Sequence, residues 1–425
     1  MPTGRGWLVA ATGLAAIVAG SVFGARPLGQ VGLALVVLVC VAVAVVRLGR
    51  HDVEITREIS PLRAHPGQPV TVAMRVRNRG TSTAPLLLIE DRVPAGLSGD
   101  ARFALRGIEP KGHRESSITL TASRRGRYEV GPMQVSIVDP FSLAHLRSNV
   151  LARSSFLVHP RVEGLAMPRD QGTRRSASLS ALRQPTGSRG EDFYTMREYN
   201  EGDDLRKIHW PSTAKRGRYM IRQEETPWQT KATILLDDRV GAHDGTGPHS
   251  SFERAVEAAA SLVDLYNRAA YSYRLTAANE RGLPSAKRPE HLSRCLDLLA
   301  TIQASRSETE DALANRLAEI EAGSSEAALV VVSGTLGPRD ALALSRARKR
   351  FRDVTLLTFP AHRFSAQSTK RRWEGERTLM ESVRLLTRSG VRAVALGPDE
   401  PLGASWTGLS PRQQETSWGR RPELV

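Results

Sequence analysis

The spacing of apolar residues changes three times along the chain, and each change marks a new kind of element. Trp7–Ala25 is a run of 19 uncharged, mostly apolar residues. At ~1.5 Å per residue such a helix reaches ~28 Å, close to the ~30 Å hydrocarbon core of a bilayer. The turn Arg26-Pro27-Leu28-Gly29-Gln30 leads into a second apolar run, Val31–Val46, which extends back to Leu28. Two spans, 7–25 and 28–46, joined so tightly predict a transmembrane helical hairpin within residues 1–50. A cleaved signal peptide ending near Val22-Phe23-Gly24 is the other reading of the first run, but a second span follows at once. Arg5 precedes the first span, Arg47 and Arg50 follow the second, and only Arg26 lies between. That asymmetry places both termini and the soluble domains on the cytoplasmic side of the plasma membrane.

From residue 52 to 160 the period becomes two. Val70, Val72, Met74 and Val76 alternate with Thr71, Ala73, Arg75 and Arg77, the pattern of a strand with one buried face. Val53/Ile55, Ile118/Leu120 and Val135/Ile137 repeat it. Turn residues at Pro66-Gly67, Asn78-Arg79-Gly80, Pro94-Ala95-Gly96 and Pro110-Lys111-Gly112 separate the runs. Short strands so spaced predict an immunoglobulin-like β-sandwich. Residues 161–189 lack periodicity and read as a mobile linker. Residues 190–229 form a distinct motif segment, treated below.

In residues 230–398 strand-length apolar runs alternate with helical ones. Ala232–Leu236, Leu329–Val332, Val354–Thr358 and Val391–Leu396 have strand length. Phe252, Ala255, Val256, Ala259, Val263 and Tyr266 fall on one helical face, and Ser250-Ser-Phe-Glu253 ahead of them matches a capping box. The alternation predicts a mainly parallel sheet covered on both faces, with any ligand at the C-terminal strand ends. Residues 399–425 are rich in Gly, Pro, Ser and Arg and read as a flexible tail.

Charge changes this picture little. The chain carries 60 Lys+Arg against 44 Asp+Glu, a net +16, and all but seven of its basic residues are Arg. The excess is +4 in residues 1–51, +5 in 52–160, +3 in 161–229, +5 in 230–398 and −1 beyond. A nucleic-acid binder concentrates such charge into a stripe or a basic helix, so no nucleic-acid partner is expected. The two cysteines, Cys40 and Cys295, exclude a disulfide framework and a multi-cysteine zinc site.

The densest chemistry lies in the motif segment, where Arg197, Tyr199, Gly202, Asp203, Asp204, Arg206, His209, Trp210 and Ala214 fall within a short stretch. Gly202 beside two aspartates suits a tight turn, the two arginines suit bidentate pairing with carboxylates, and the aromatics offer large apolar faces. One reading is a catalytic constellation, with His209 and an aspartate as acid and base. The other is a salt-bridged, aromatic-anchored element that organises the α/β domain or contacts a partner. No nucleophile–base spacing and no glycine-rich phosphate loop accompanies it, which favours the second.

Arg197 to Ala214, read as R-x-Y-x-x-G-D-D-x-R-x-I-x-W-x-x-(S/T)-A, resembles the hallmark of the domain of unknown function 58 family. Glu224-Glu225, the upstream Arg125-Gly-Arg-Tyr-Glu-Val-Gly-Pro, Asp139-Pro-Phe-Ser-Leu and His159-Pro160 fit the same resemblance. It implies that the α/β part is a von Willebrand factor A-like domain. It also implies a MoxR-type AAA+ ATPase as partner, and often a transglutaminase-like membrane protein. In metal-binding domains of that type the first strand ends in D-x-S-x-S; here Asp237-Asp238-Arg239-Val240-Gly241 keeps the aspartate but puts Arg239 and Gly241 at the serine positions. Arginine offers no oxygen ligand, and Val331-Val332-Ser333-Gly334-Thr335 supplies no second aspartate. The expectation is a degenerate site without metal or other cofactor, Arg239 standing in for the cation by pairing with Asp237. His243, Asp244 and His249 lie in a Gly/Pro/Ser-rich stretch and read as a solvated loop.

The sequence thus points to a membrane-tethered, non-enzymatic adaptor or scaffold working with a MoxR-type ATPase in assembly or maintenance of envelope or other protein complexes. A hydrolase using Asp203, Asp204 and His209 is the alternative, and a binder of nucleic acid or anionic lipid a further one.

Overall fold

The computed structural model describes residues 1–48, 53–81, 83, 86–139, 141–150, 152–167, 194–199, 208–224, 231–279, 282–305, 311–323, 328–365 and 369–407. They form two compact units, Met1–Arg161 with Leu296–Ile302, and Val162–Cys295 with Gln303–Val425.

The first unit opens with two apolar helices, α1 (Gly4–Val22) and α2 (Arg26–Leu48), both long and apolar enough to cross a membrane. Three buried glycines seven residues apart, Gly6, Gly13 and Gly20, line one face of α1. A Cβ on Gly13 would lie 2.8 Å from the Gly32 carbonyl oxygen, and one on Gly20 2.6 Å from the Gly29 nitrogen. The hairpin therefore packs backbone against backbone, the close approach that small residues permit between apolar helices. Trp7, Leu14, Val18 and Phe23 are left exposed.

Antiparallel strands follow: β1 (Val53–Ser60), β2 (Arg63–Ala64), β3 (Pro69–Asn78), β4 (Leu86–Asp91), β5 (Leu97–Ser98), β6 (Arg102–Leu105), β7 (His113–Ala122), β8 (Gly126–Val130), β9 (Met133–Val138), β10 (His145–Val150) and β11 (Ser154–Val158). They make sheets ordered β1-β3-β7-β5 and β10-β9-β4-β6, with a small third sheet β2-β11-β8, in which β2 and β11 are parallel. Every second residue of β3 is buried, so Val70, Val72, Met74 and Val76 enter one core with Leu87, Ile89, Leu120, Val135 and Phe156 from the other strands.

In the second unit, β12 (Tyr194–Glu198) pairs antiparallel with β13 (Met220–Glu224), and the short helix α3 (Trp210–Arg216) lies between them in sequence. The rest is an α/β arrangement. Its sheet, ordered β16-β15-β14-β17-β18-β19, contains β14 (Lys231–Leu236), β15 (Ser272–Ala277), β16 (Leu283–Ala286), β17 (Ala328–Ser333), β18 (Asp353–Thr358) and β19 (Arg392–Ala395). Only β16 runs antiparallel to its neighbour. The chain moves from β14 outward to β15, then returns to the other side of β14 to build β17, β18 and β19. The strand order therefore reverses between β14 and β17, and their carboxyl ends flank the crevice where open α/β sheets bind ligands.

Helices α4 (Ser251–Arg268), α5 (Pro289–Thr301), α6 (Ala312–Gly323), α7 (Pro338–Ala347) and α8 (Thr369–Arg388) connect these strands. The face of α4 read from the sequence is buried, and Ser250 Oγ accepts from the Glu253 N–H at 3.2 Å. Leu313, Leu317, Leu344, Phe351 and Leu386 pack with Leu329 and Val331 of β17 into one apolar cluster.

The segments read as linker and tail contain ordered pieces. Residues 402–407 form the helix α9 (Leu402–Thr407), whose Leu402 and Trp406 are fully buried. Trp406 Nε1 donates to the Ala166 carbonyl at 2.9 Å, and the Leu402 N–H to Glu163 Oε2 at 2.9 Å. Arg268 also donates to the Leu165 carbonyl at 3.1 Å and Arg254 to Glu163 at 2.9 Å, long-range contacts that no period reveals. Residues 168–193 and 408–425 lie outside the described residues.

Candidate functional site

Two places carry the residues singled out in the sequence. The first is the crevice between β14 and β17. The main chain leaving β14 is fixed there when the Asp237 N–H donates to the Val332 carbonyl at 2.8 Å, extending the parallel pairing with β17 to the sheet end. Asp237 is fully buried. Arg239 meets it with a two-pronged contact, Nε to Oδ1 at 2.9 Å and Nη2 to Oδ2 at 2.8 Å. The same Nη2 lies 2.8 Å from Asp340 Oδ2, and Ser333 Oγ donates to Asp237 Oδ2 at 2.6 Å. Paired planar forks of this kind are the strong form of charge-assisted hydrogen bond.

Asp340 reaches the crevice because it occupies the third position of α7, where its carboxylate accepts from the Gly337 N–H at 3.2 Å. That position also sits at the positive end of the helix dipole. Burial raises the Asp340 pKa, and the neighbouring Arg239 works against that rise. Burial likewise opposes the Arg239 charge, but the bonds to Asp237 and Asp340 outweigh it, and its pKa is raised above the free guanidinium. The centre is thus a cation held between two buried carboxylates.

Main chain closes the remaining space. A Cβ on Gly334 would lie 1.9 Å from the Ala242 carbonyl oxygen, so only glycine lets the 239–243 loop settle on the end of β17. Asp238 turns the other way and accepts from both the backbone and side-chain nitrogens of Asn279, at 2.9 and 3.1 Å. Gly241 is exposed in a single 3₁₀ turn, Val240–Ala242.

The solvated-loop expectation holds for His249 and fails for His243. His249 is exposed. His243 instead donates from Nε2 to the Asp237 carbonyl at 2.7 Å and faces Ser251 Oγ at 3.2 Å, and burial lowers its pKa. Asp244 is drawn in with it, its N–H donating to Ser251 Oγ at 3.0 Å. The imidazole ties the loop to α4, a contact that local composition does not encode. No group of three or more His, Cys, Asp or Glu among the described residues is placed to hold a metal ion.

The second place is the motif segment. Arg197 lies in β12 opposite Ile221; its side chain, together with Gly202, Asp203, Asp204 and Arg206, lies outside the described residues. Past that gap the chain is tied to the hairpin by the His209 N–H, which donates to the Met220 carbonyl at 2.8 Å. His209 is the N-cap of α3, its Nδ1 accepting from the Ser212 N–H at 3.3 Å and facing Ser212 Oγ at 2.9 Å. Gly217, at φ 68°, ends the helix in the left-handed conformation that glycine adopts without strain. Thr213 Oγ1 then accepts from the Met220 N–H at 3.0 Å, closing α3 onto β13.

This frame displays aromatic rings. Tyr219 contacts Tyr199 and Trp210 edge-on, with centroids 6.3 and 6.4 Å apart. Trp210 is 65% and Tyr219 58% exposed, whereas Tyr199 is half-buried. Lys215, Arg216 and Ala214 are exposed beside them, and Arg218 pairs with Glu198 at 3.0 Å.

Sequence reading missed Asp340, Ser333 and Tyr219. The signals were Gly337-Pro338 with Asp340 three residues on, a helix start, and Ser333 at the end of an apolar strand facing the crevice. Tyr219 carries no local signal, because only the hairpin brings it to Trp210.

Two outcomes follow for purified full-length protein. Arg239→Ala leaves two facing buried carboxylates and lowers stability by roughly 3–5 kcal/mol, the scale for breaking a buried pair. Without the cation nothing from Arg239 offsets the burial that holds the Asp340 carboxyl above its unfolded pKa. The variant's deficit is therefore full at neutral pH and shrinks as pH falls into the carboxylate range, and Asp340→Asn in the same chain relieves part of it. A pH-independent deficit in thermal unfolding contradicts this electrostatic account. His209→Ala removes a helix cap and costs about 1 kcal/mol, while His209→Asn retains most of it; equal thermal stability of the two variants rules out the capping role.

Comparison with known proteins places the motif. Residues 195–358 match the family described as "Protein of unknown function DUF58". A curated relative, "Uncharacterized protein YeaD" of Bacillus subtilis (strain 168), is 24% identical over 216 residues. That match covers 49% of this chain and 51% of the relative, so the chain spans about half the length of the curated protein it matches. Among solved structures, a FixG-related protein from Vibrio parahaemolyticus aligns over 25% of this chain and 95% of its own, at 11% identity and a TM-score of 0.17. The CARDB domain of the PF1109 protein from Pyrococcus furiosus aligns over 25% of this chain and 91% of its own, at 15% identity and a TM-score of 0.19. Scores this low carry nothing about fold or function.

Proposed function

We propose, from the DUF58 match of residues 195–358, that the chain is a membrane-tethered, non-enzymatic adaptor that docks a MoxR-type AAA+ ATPase. It would serve assembly or maintenance of envelope or other protein complexes, with a transglutaminase-like membrane protein as a further member of the assembly. In this reading the first unit is an immunoglobulin-like sandwich on a membrane hairpin. The α/β part is a von Willebrand factor A-like domain with a degenerate metal site. The flanking arginines Arg5 and Arg47 put the soluble parts on the cytoplasmic face of the plasma membrane.

The observation that carries the proposal is the exposed Trp210–Tyr219 pair on the capped frame of the DUF58 motif, rimmed by Lys215 and Arg216. Large aromatics held out into solvent with a basic rim are the residue types that dominate protein–protein hot spots. The Arg239 network supports the non-enzymatic part, since the protein's own guanidinium fills the ligand crevice of the sheet. The hydrolase alternative draws less support, because His209 Nδ1 is engaged in capping α3.

The test is capture from detergent-solubilised membranes with tagged full-length protein, with and without ATP. An AAA+ ATPase is expected in the eluate, and Trp210→Ala/Tyr219→Ala is expected to reduce its recovery at least ~10-fold, as for loss of one hot spot of about 2 kcal/mol. No ATPase above background in either nucleotide state overturns the proposal.

A further inference from the structure

The turn between β9 and β10 does not point into water: it is docked on the membrane hairpin. Leu143 and Ala144 are fully buried in a cluster with Val39, Ala42 and Val46 of α2, joined by Val9 and Ala10 of α1. Val39 lies eight residues before Arg47, ~12 Å along the helix, well inside the apolar run. Helix α1 is notched to receive the turn, since a Cβ on Gly6 would lie 2.1 Å from the Leu143 carbonyl oxygen.

Irregular backbone at that depth is tolerated only if its polar groups are satisfied within the protein. Here they are met from both sides. The buried Asp139 carboxylate accepts from the Phe141 N–H at 2.9 Å and the Ala144 N–H at 2.5 Å, and its carbonyl accepts from the Ser142 N–H at 2.9 Å. Thr3 supplies its N–H to the Leu143 carbonyl at 2.8 Å and its hydroxyl to the Ser142 carbonyl at 2.6 Å. The His145 N–H donates to the Met1 carbonyl at 2.8 Å. Ser142 is held at φ 59°, a left-handed conformation uncommon for a non-glycine residue. The product of this arrangement is one outward ring, Phe141, 66% exposed at the same end of the hairpin as exposed Trp7. Arg5, Arg47 and Arg147 are exposed, and long basic side chains near the ends of membrane spans reach lipid phosphates.

We infer that the Phe141–Ala144 turn is a lipid-inserted wedge, with Phe141 in the bilayer, so that the sandwich is seated on the membrane and not held off it by a free tether. This rests on the reading of α1 and α2 as membrane spans. The occupant is the bilayer itself, because the turn is continuous with the apolar surface of the hairpin.

The experiment uses the full chain with Cys40→Ala and Cys295→Ala and a single cysteine introduced at position 141, 18 or 115, each carrying an environment-sensitive fluorophore. The protein is reconstituted into phosphatidylcholine/phosphatidylglycerol vesicles with brominated acyl chains. Position 18 reports the lipid face of α1, and exposed position 115 on β7 reports water. Probes at 141 and 18 are expected to show blue-shifted emission and comparable loss of intensity, and the probe at 115 neither. Gly6→Val is expected to abolish quenching at 141 while leaving 18 quenched. A water-like, unquenched probe at 141 beside a quenched one at 18 overturns the wedge alone. Water-like probes at both positions overturn the membrane reading beneath it.

Discussion

The fork between Arg239 and Asp237 is the interaction on which the α/β unit's chemistry turns. It sits where the strand order reverses, and an open sheet leaves a crevice there. A carboxylate buried alone at that point would be costly, and so would a buried guanidinium. Each is stable because of the other. Asp340 from α7 and the hydroxyl of Ser333 complete the set. The cation between these carboxylates is covalently part of the chain. The loop behind Arg239 can then close, with Ala242 against Gly334 and His243 tied back to the Asp237 carbonyl.

Closing that crevice shifts attention to what the molecule displays. Around the motif, backbone bonds and two caps are used to hold Trp210 and Tyr219 outward, when burying them would have stabilised the unit more directly. In the first unit the glycines of α1 serve contact with α2 and with the turn after β9. Neither arrangement resembles a cleft built round a small substrate. Both are surfaces, which is why an adaptor is the function proposed.

Much of this was legible in the sequence, for identifiable reasons. The apolar runs at the start and the alternation in β3 are properties of neighbouring residues, so a local pattern exposes them. The Ser250–Glu253 cap was equally local. The Asp237/Arg239 pairing was readable because the two residues are adjacent but one. Asp340, 101 positions from Arg239, was not, since only the folded sheet brings α7 to that strand end. The short strands β15 and β16 mix Arg, Ser and Pro with apolar residues and lack a run of their own. His243 misled because its neighbours have loop composition while its ring has a fixed place. The pieces at 162–167 and 402–407 are held by scattered long-range bonds of Glu163, Leu165 and Trp406 that no periodicity reveals.

The most direct measurement of the built-in cation is Mn²⁺ titration of purified full-length protein, followed by the electron paramagnetic resonance signal of the free ion. With Arg239 occupying the crevice, the free-ion signal should rise in proportion to added metal from the first addition, as it does for buffer alone. Stoichiometric micromolar Mn²⁺ binding that Asp237→Asn abolishes would contradict the account.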